Sequence, residues 1–62
     1  SRAYLEERRR ELLQSPRLED WLLALRLDPL DEEALRRLYG TPAQEEALLL
    51  RQRALQELGL EG

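Results

Sequence analysis

The chain has 62 residues and a net charge of −3, and Leu, Arg, Glu and Ala dominate its composition, whereas Cys, His, Lys and Met are absent. A chain of this length forms at most one domain, here 1–62, with a thin core, because only about 60% of its unfolded surface can be hidden on folding. The absence of Cys and His excludes disulfides, thiol catalysis and the usual transition-metal sites.

An all-α fold is predicted, because Leu, Ala, Arg and Glu favour helices and Thr41 is the only β-branched residue. The hydrophobic pattern and its breaks predict four short helices, at 2–14, 16–27, 29–39 and 42–58. We expect three or four of these helices to form a small bundle, packed as helical hairpins like those of repeat proteins.

Three prolines mark the predicted starts of the last three helices. Each follows an oxygen-bearing residue, and the pairs are thirteen residues apart: Ser15–Pro16, Asp28–Pro29 and Thr41–Pro42. Proline suits the first helical position, and Ser, Asp and Thr are good N-caps, so each pair is read as a cap followed by the first helical residue. Thr41 and Gln44 also have the spacing of a capping box.

The apolar faces of the helices predict the core. The second helix is expected to be the most buried element, because it carries an apolar stripe of Leu18, Trp21, Leu22 and Leu25 that Leu23 and Leu27 extend round the helix. The predicted core anchors are Trp21, Leu25, Leu35, Leu38 and Tyr39. The predicted apolar face of the fourth helix is made of Leu48, Leu55 and Leu58 beside Ala47 and Ala54, and is widened by Leu49 and Leu50.

Four short helices with seventeen Leu residues offer more apolar surface than a 62-residue monomer can easily cover, and such surplus surface usually binds a partner. We therefore predict a non-enzymatic protein–protein interaction or oligomerisation module. The partner is another protein or a second copy of the chain, which binds a Leu stripe of the first or fourth helix. The candidate interface residues are Tyr4, Leu5, Leu12, Leu48, Leu49, Leu50 and Leu55.

Catalysis, cofactor binding and a small-molecule substrate are not expected. Without His, Cys or Lys the chain lacks the usual general bases and most activated nucleophiles. Adjacent carboxylates such as Glu45 and Glu46 fall in first helical turns, where the helix dipole favours negative charge. No apolar run approaches the ~20 residues of a membrane span, so we expect a soluble, cytoplasmic protein.

Residues 34–55 have the outline of a helix-turn-helix, whose second helix would enter the major groove of DNA. The start of that helix carries Glu45 and Glu46, and these carboxylates would meet the phosphate backbone. The only basic cluster, Arg8 to Arg10, is flanked by acidic residues and is expected to form pairs within its own helix. Contact with nucleic acid is therefore disfavoured.

The segment "WLLALRLDPLDEEALRRL" (21–38) resembles the junction between two tetratricopeptide-type helical repeats. With the later "EEALLLRQRALQELGLEG" (45–62), it is similar to the helical bacterial transcriptional activator domain of large regulators. The resemblance covers 21–62 and implies protein–protein contact through a helical surface. The turn at Gly40 interrupts the pattern, which is several residues shorter here than a repeat needs. The residues that match the packing positions of the repeat are Trp21, Leu25, Leu35, Leu38 and Tyr39.

Two alternative functions stay open. The first is an accessory helical domain of a transcriptional regulator, with DNA contact of the helix-turn-helix kind. The second is a structural helical insert of a larger protein, since the chain begins at Ser1 rather than Met and is expected to come from a longer chain. The use of Arg without Lys, and the absence of Asn, Cys and Met, are typical of a GC-rich genome or of a thermophile.

Overall fold

A computed structural model describes residues 2–60, which form four α-helices and no strand. The helices are α1 (Arg2–Gln14), α2 (Leu18–Leu27), α3 (Glu32–Leu38) and α4 (Gln44–Glu57). The predicted all-α fold is thus confirmed. The bounds of α1 agree with the prediction, whereas α2, α3 and α4 each begin two or three residues later than predicted.

The later helix starts result from turns at the three prolines. In each turn, the residue before the proline accepts a hydrogen bond from the backbone N–H of the residue after it. The distances are 3.1 Å from Ser15 Oγ to Arg17 N, 3.2 Å from Asp28 Oδ1 to Leu30 N and 3.2 Å from Thr41 Oγ1 to Ala43 N. These Asx and ST turns use the side-chain oxygen before the helix begins, so they compete with helix capping.

The predicted N-caps at the prolines are therefore wrong. The N-caps of α2, α3 and α4 are Arg17, Asp31 and Ala43. Among these three residues, only Asp31 accepts hydrogen bonds from its own helix through its side chain, at 3.0 Å from Glu33 N and 3.4 Å from Ala34 N. Asp31 lies one turn after Asp28, which was the predicted cap. Its carboxylate also interacts favourably with the positive end of the α3 dipole.

The predicted capping box is also wrong. The side chain of Gln44 turns back, but its Oε1 accepts from the backbone N–H of Gly40 at 2.7 Å rather than from that of Thr41. The hydroxyl of Thr41 instead donates to the carbonyl oxygen of Leu38 at 2.6 Å. Both side chains thus stabilise the turn between α3 and α4, in which Gly40 has a positive φ of 75°.

α2 is the central helix and packs against α1, α3 and α4. The core consists of Leu12, Leu13, Ala24, Leu25, Ala34, Leu35, Leu38 and Ala47. Leu25 and Leu38 are its largest fully buried side chains. The predicted core anchors Leu25, Leu35 and Leu38 lie in this core, and the half-buried Trp21 packs against it.

Two side chains lie elsewhere than predicted. Leu12, a predicted interface residue, is only 4% exposed, because α1 turns this side chain into the core. Tyr39, a predicted core anchor, is 52% exposed. α3 ends at Leu38, and Tyr39 has an extended conformation with φ −65° and ψ 137°. It no longer follows the buried face of the helix, so it lies at the surface.

α4 faces the core mainly with small residues. Ala47 is buried, and Ala43 and Leu50 pack against the core from the same face of the helix. Of the predicted apolar face, Ala47 is buried, Ala54 and Leu55 are half-buried, and Leu48 and Leu58 are exposed. The small alanines let α4 lie close to its neighbours, and three Leu side chains, Leu48, Leu49 and that of the C-cap residue Leu58, are left exposed.

Arg9 ties α1 to the loop between α2 and α3. Its Nε lies 3.1 Å from Asp31 Oδ2, and its Nη2 lies 3.8 Å from Asp28 Oδ2. The neighbouring arginines form the predicted pairs within α1, Arg8–Glu11 at 3.3 Å and Arg10–Glu7 at 2.8 Å. Arg9 thus differs from its neighbours in joining two parts of the fold.

The four helices form a flat body, with Cα extents of 33 × 31 × 13 Å. The shortest extent is close to that of two helices in contact, whose axes lie about 8–10 Å apart. A body this thin cannot surround its central helix. Parts of α2 and of α4 therefore remain at the surface.

Candidate interaction surface

A shallow depression lies between α2 and α4. Its volume is about 410 Å³, and its lining residues are Arg26, Glu46, Leu49, Leu50 and Arg53. Arg26 also lines a neighbouring depression on α2, together with Glu19, Leu22 and Leu23. The four Leu residues that line the two depressions are referred to below as the α2–α4 patch: Leu22, Leu23, Leu49 and Leu50.

The α2–α4 patch combines half-buried and exposed Leu side chains. Leu22 and Leu50 are half-buried and pack against the core. Leu23 is 42% exposed and Leu49 is 52% exposed. Because the patch stands on two helices that are fixed by the core, the backbone that carries its exposed side chains is in place before any partner binds. Such a preformed apolar surface can bind a partner with little ordering cost.

A salt bridge between α2 and α4 lies beside the patch. Arg26 Nη2 donates to Glu46 Oε2 at 2.6 Å, and both side chains are about half exposed. Exposed pairs of this kind contribute about 0–1 kcal/mol to stability. The main effect of this pair is therefore to neutralise two charges next to the patch.

Two further charges flank Leu49 along α4. Glu45 precedes it by four residues and Arg53 follows it by four residues, and both are exposed. Within residues 2–60, neither side chain forms a salt bridge. Residues four apart lie on the same face of a helix, so these three side chains form one row on the surface.

A second candidate region lies between α1 and the end of α2. Its exposed apolar residues are Leu5 and Leu27, and it is also lined by Arg2, Glu6, Arg9 and Asp28. Four charged residues therefore surround two Leu residues, and Arg9 is already bound to the loop after α2. This region is more polar than the α2–α4 patch.

The structure distributes the predicted interface residues over several surfaces. Two of them, Leu49 and Leu50, lie in the α2–α4 patch. The others are Tyr4 and Leu5 on α1, Leu48 on another side of α4, the half-buried Leu55 and the buried Leu12.

Sequence reasoning missed the contribution of α2 to this surface. Leu22 and Leu23 belong to a stripe that was predicted to be core. The available signal was the width of that stripe, because the apolar residues of α2 extend further round the helix than one buried face needs.

Within residues 2–60, no three acidic side chains gather where a metal ion could bind, and no helix is long and apolar enough to cross a membrane. The pKa of Arg17 is raised, chiefly by its hydrogen bond to Glu19 and then by the charges of Glu19 and Asp20. Arginine is charged at any ordinary pH, so this shift has no consequence for reactivity.

Comparison of the chain with protein-family models, curated proteins and solved structures finds no match. The fold and the surface define a small all-α protein with a preformed Leu patch on two of its helices.

Proposed function

We propose that this chain is a non-enzymatic helical interaction module that self-associates through the α2–α4 patch. The observation that carries the proposal is the exposure of Leu23 and Leu49 on two helices whose positions the core fixes. Full burial of a Leu side chain contributes about 1.5–3 kcal/mol relative to full exposure. Covering these two half-exposed side chains would therefore contribute about 1–3 kcal/mol per chain.

The flat shape of the body supports the same proposal. A thickness of 13 Å leaves room for a thin core only, and small domains commonly add oligomerisation to a core of this kind. A second copy placed on the α2–α4 patch would enlarge the core without any change of fold.

The alternative of direct DNA contact has weaker support. The helix that would enter the major groove is α4, and its first turn carries Glu45 and Glu46. The resemblance to repeat-containing regulators favours the present proposal, because helical repeats present surfaces on which proteins bind. The other alternative, a structural insert, would require that the α2–α4 patch is covered by the rest of a larger protein.

The test is sedimentation equilibrium of the wild-type chain over about a hundredfold range of concentration, beside two variants. Leu49→Glu places a charge in the α2–α4 patch and is expected to weaken association about tenfold or more, because the charge would have to be buried. Leu48→Glu is the matched control, since it changes the adjacent residue on another side of α4. This control is expected to associate like the wild-type chain.

Circular dichroism of both variants checks that the helices are retained. A wild-type chain that stays monomeric over the whole range would overturn the proposed function. Equal weakening by the two variants would overturn the assignment of the surface.

A further inference from the structure

The row of Glu45, Leu49 and Arg53 on α4 has a charge pattern that suits a copy of itself. An acidic and a basic side chain stand at the same spacing on either side of an exposed Leu. Within residues 2–60, neither charge has a salt-bridge partner. A surface that binds its own copy across a two-fold axis must be complementary to itself, and this row meets that condition.

We propose that a second copy of this chain occupies the α2–α4 patch, with the two α4 helices antiparallel and the two-fold axis near Leu49. This inference rests on the proposed function. In an antiparallel pair, a residue four positions before the axis faces the residue four positions after it on the other helix. Glu45 of each copy then faces Arg53 of the other, and the two Leu49 side chains meet at the centre.

A parallel arrangement of the same helices lacks this complementarity. It would place the two Glu45 side chains together and the two Arg53 side chains together, and like charges at close range are unfavourable. The charge pattern therefore selects the antiparallel direction as well as the register.

The surroundings of the row are compatible with a second copy. The salt bridge between Arg26 and Glu46 leaves no net charge at the side of the patch. Leu23 stands on α2 at that same side. A two-fold axis perpendicular to both α4 helices places the two α2 helices on one side of the α4 pair, so both Leu23 side chains join the covered surface.

The second candidate region, between α1 and the end of α2, does not offer the same charge pattern. Its Leu5 and Leu27 lie on two different helices, so no single helix presents an apolar centre with opposite charges at equal spacing. One of its charges, Arg9, is held by Asp31 at 3.1 Å. A second copy is therefore assigned to the α2–α4 patch.

Charge-reversal variants test the register. Glu45→Arg and Arg53→Glu each create two like-charge contacts in the dimer, and each is expected to weaken self-association roughly tenfold. The double variant E45R/R53E restores opposite charges across the axis and is expected to associate within about threefold of the wild-type chain. Glu6→Arg controls for the change in net charge of Glu45→Arg, since it alters an exposed acid of α1 outside the α2–α4 patch.

The double variant also separates association from helix stability. Glu45→Arg places a cation in the first turn of α4, where the helix dipole disfavours it. The double variant carries the same cation at the same position. Recovery of association in the double variant therefore cannot come from a better helix and must come from the contact across the axis.

A mixture of the two single variants gives an independent readout. One variant has Arg at both positions and the other has Glu at both, so a mixed dimer has opposite charges at both contacts. Native mass spectrometry of an equimolar mixture is expected to show more mixed dimer than the one half of all dimers that random pairing would give, and a mixed fraction of about one half would contradict the charge contact.

The outcomes distinguish the two proposals. If the wild-type chain dimerises and Leu49→Glu disrupts the dimer, but the double variant stays as weak as the single variants, the antiparallel register is wrong and the proposed function stands. If the wild-type chain is monomeric at all concentrations, both proposals are overturned.

Discussion

The guanidinium group of Arg37 lies over the indole ring of Trp21, with 5.9 Å between its Cζ and the ring centroid. Arg37 also donates a hydrogen bond to the carbonyl oxygen of Leu13. Trp21 Nε1 donates to the carbonyl oxygen of Ser15 at 2.6 Å. Both carbonyls lie at the C-terminal end of α1, where the helix itself supplies no further donors. The two side chains thus donate hydrogen bonds to carbonyl groups at the C-terminal end of α1, and they join α1 to α2 and α3.

Arg37→Ala is expected to lower the free energy of unfolding by about 1–2 kcal/mol, because it removes a charge-assisted hydrogen bond and the contact with Trp21. Urea unfolding followed by circular dichroism measures the loss. Arg36→Ala is the matched control on the same helix, because Arg36 is exposed and forms no salt bridge within residues 2–60. Its expected effect is below about 0.5 kcal/mol. Equal losses for the two variants would contradict the role of Arg37.

Asp31 has two functions in the fold, and two substitutions separate them. Its Oδ1 caps α3, and its Oδ2 accepts from Arg9 at 3.1 Å. Asp31→Ala removes both interactions and is expected to cost about 1.5–2.5 kcal/mol of stability. Asp31→Asn keeps a capping oxygen but loses the charge, so its expected cost is below about 1 kcal/mol. Thermal unfolding of both variants measures the difference, and equal costs would mean that the cap contributes little.

Much of the fold follows from local sequence patterns. α1 has its predicted bounds because its helix-forming residues continue to Gln14 without a break. The prolines indicated the correct breaks, but the starts of α2, α3 and α4 were placed too early. An Asp or Thr before a proline can cap a helix or form a turn with the next N–H, and the sequence contains no signal that separates these two uses. Whether the residue caps a helix or forms a turn depends on the position and direction of the chain at the end of the preceding helix.

The composition of the surface was harder to predict than the core. The face that α4 turns inward depends on how closely its alanines approach α2 and α3, which is a property of packing rather than of periodicity. Leu49 could be predicted at the surface because it lies off the main stripe of α4. The wide stripe of α2 indicated that some of its apolar side chains would be exposed, but that Leu23 is one of them depends on the flatness of the whole body.

Gly40→Ala is expected to lower the free energy of unfolding by about 1 kcal/mol. Gly40 has a φ of +75°, which residues with a Cβ adopt only at a cost, although no atom lies within 4 Å of the added carbon. Gly59 is the matched control, with a φ of +69° and equally open surroundings. Gly59→Ala acts at the end of α4, so it is expected to change global stability by less than about 0.5 kcal/mol. Denaturant unfolding of both variants measures these losses, and a Gly59→Ala loss as large as that of Gly40→Ala would contradict this difference.

Leu25→Ala is expected to cost about 2–5 kcal/mol, because Leu25 is fully buried at the centre of α2 and its truncation leaves a cavity. A chain of this size has a total stability of only about 3–9 kcal/mol. The variant should therefore lose about half of its stability and unfold at a lower temperature than the wild-type chain. Thermal unfolding followed by circular dichroism measures this, and an unchanged midpoint would mean that the core repacks around the cavity.

Leu23→Ala is expected to separate folding from association. Leu23 is 42% exposed in the α2–α4 patch, so its truncation should cost the monomer about 1 kcal/mol or less. The same change removes apolar surface from the proposed contact in both copies, and we expect self-association to weaken about threefold to tenfold. Leu5→Ala is a close control, because Leu5 is 45% exposed on α1. Sedimentation equilibrium measures the strength of self-association of both variants, which lose the same side-chain atoms at similarly exposed positions. Greater weakening by Leu5→Ala would place the contact in the groove between α1 and α2 instead.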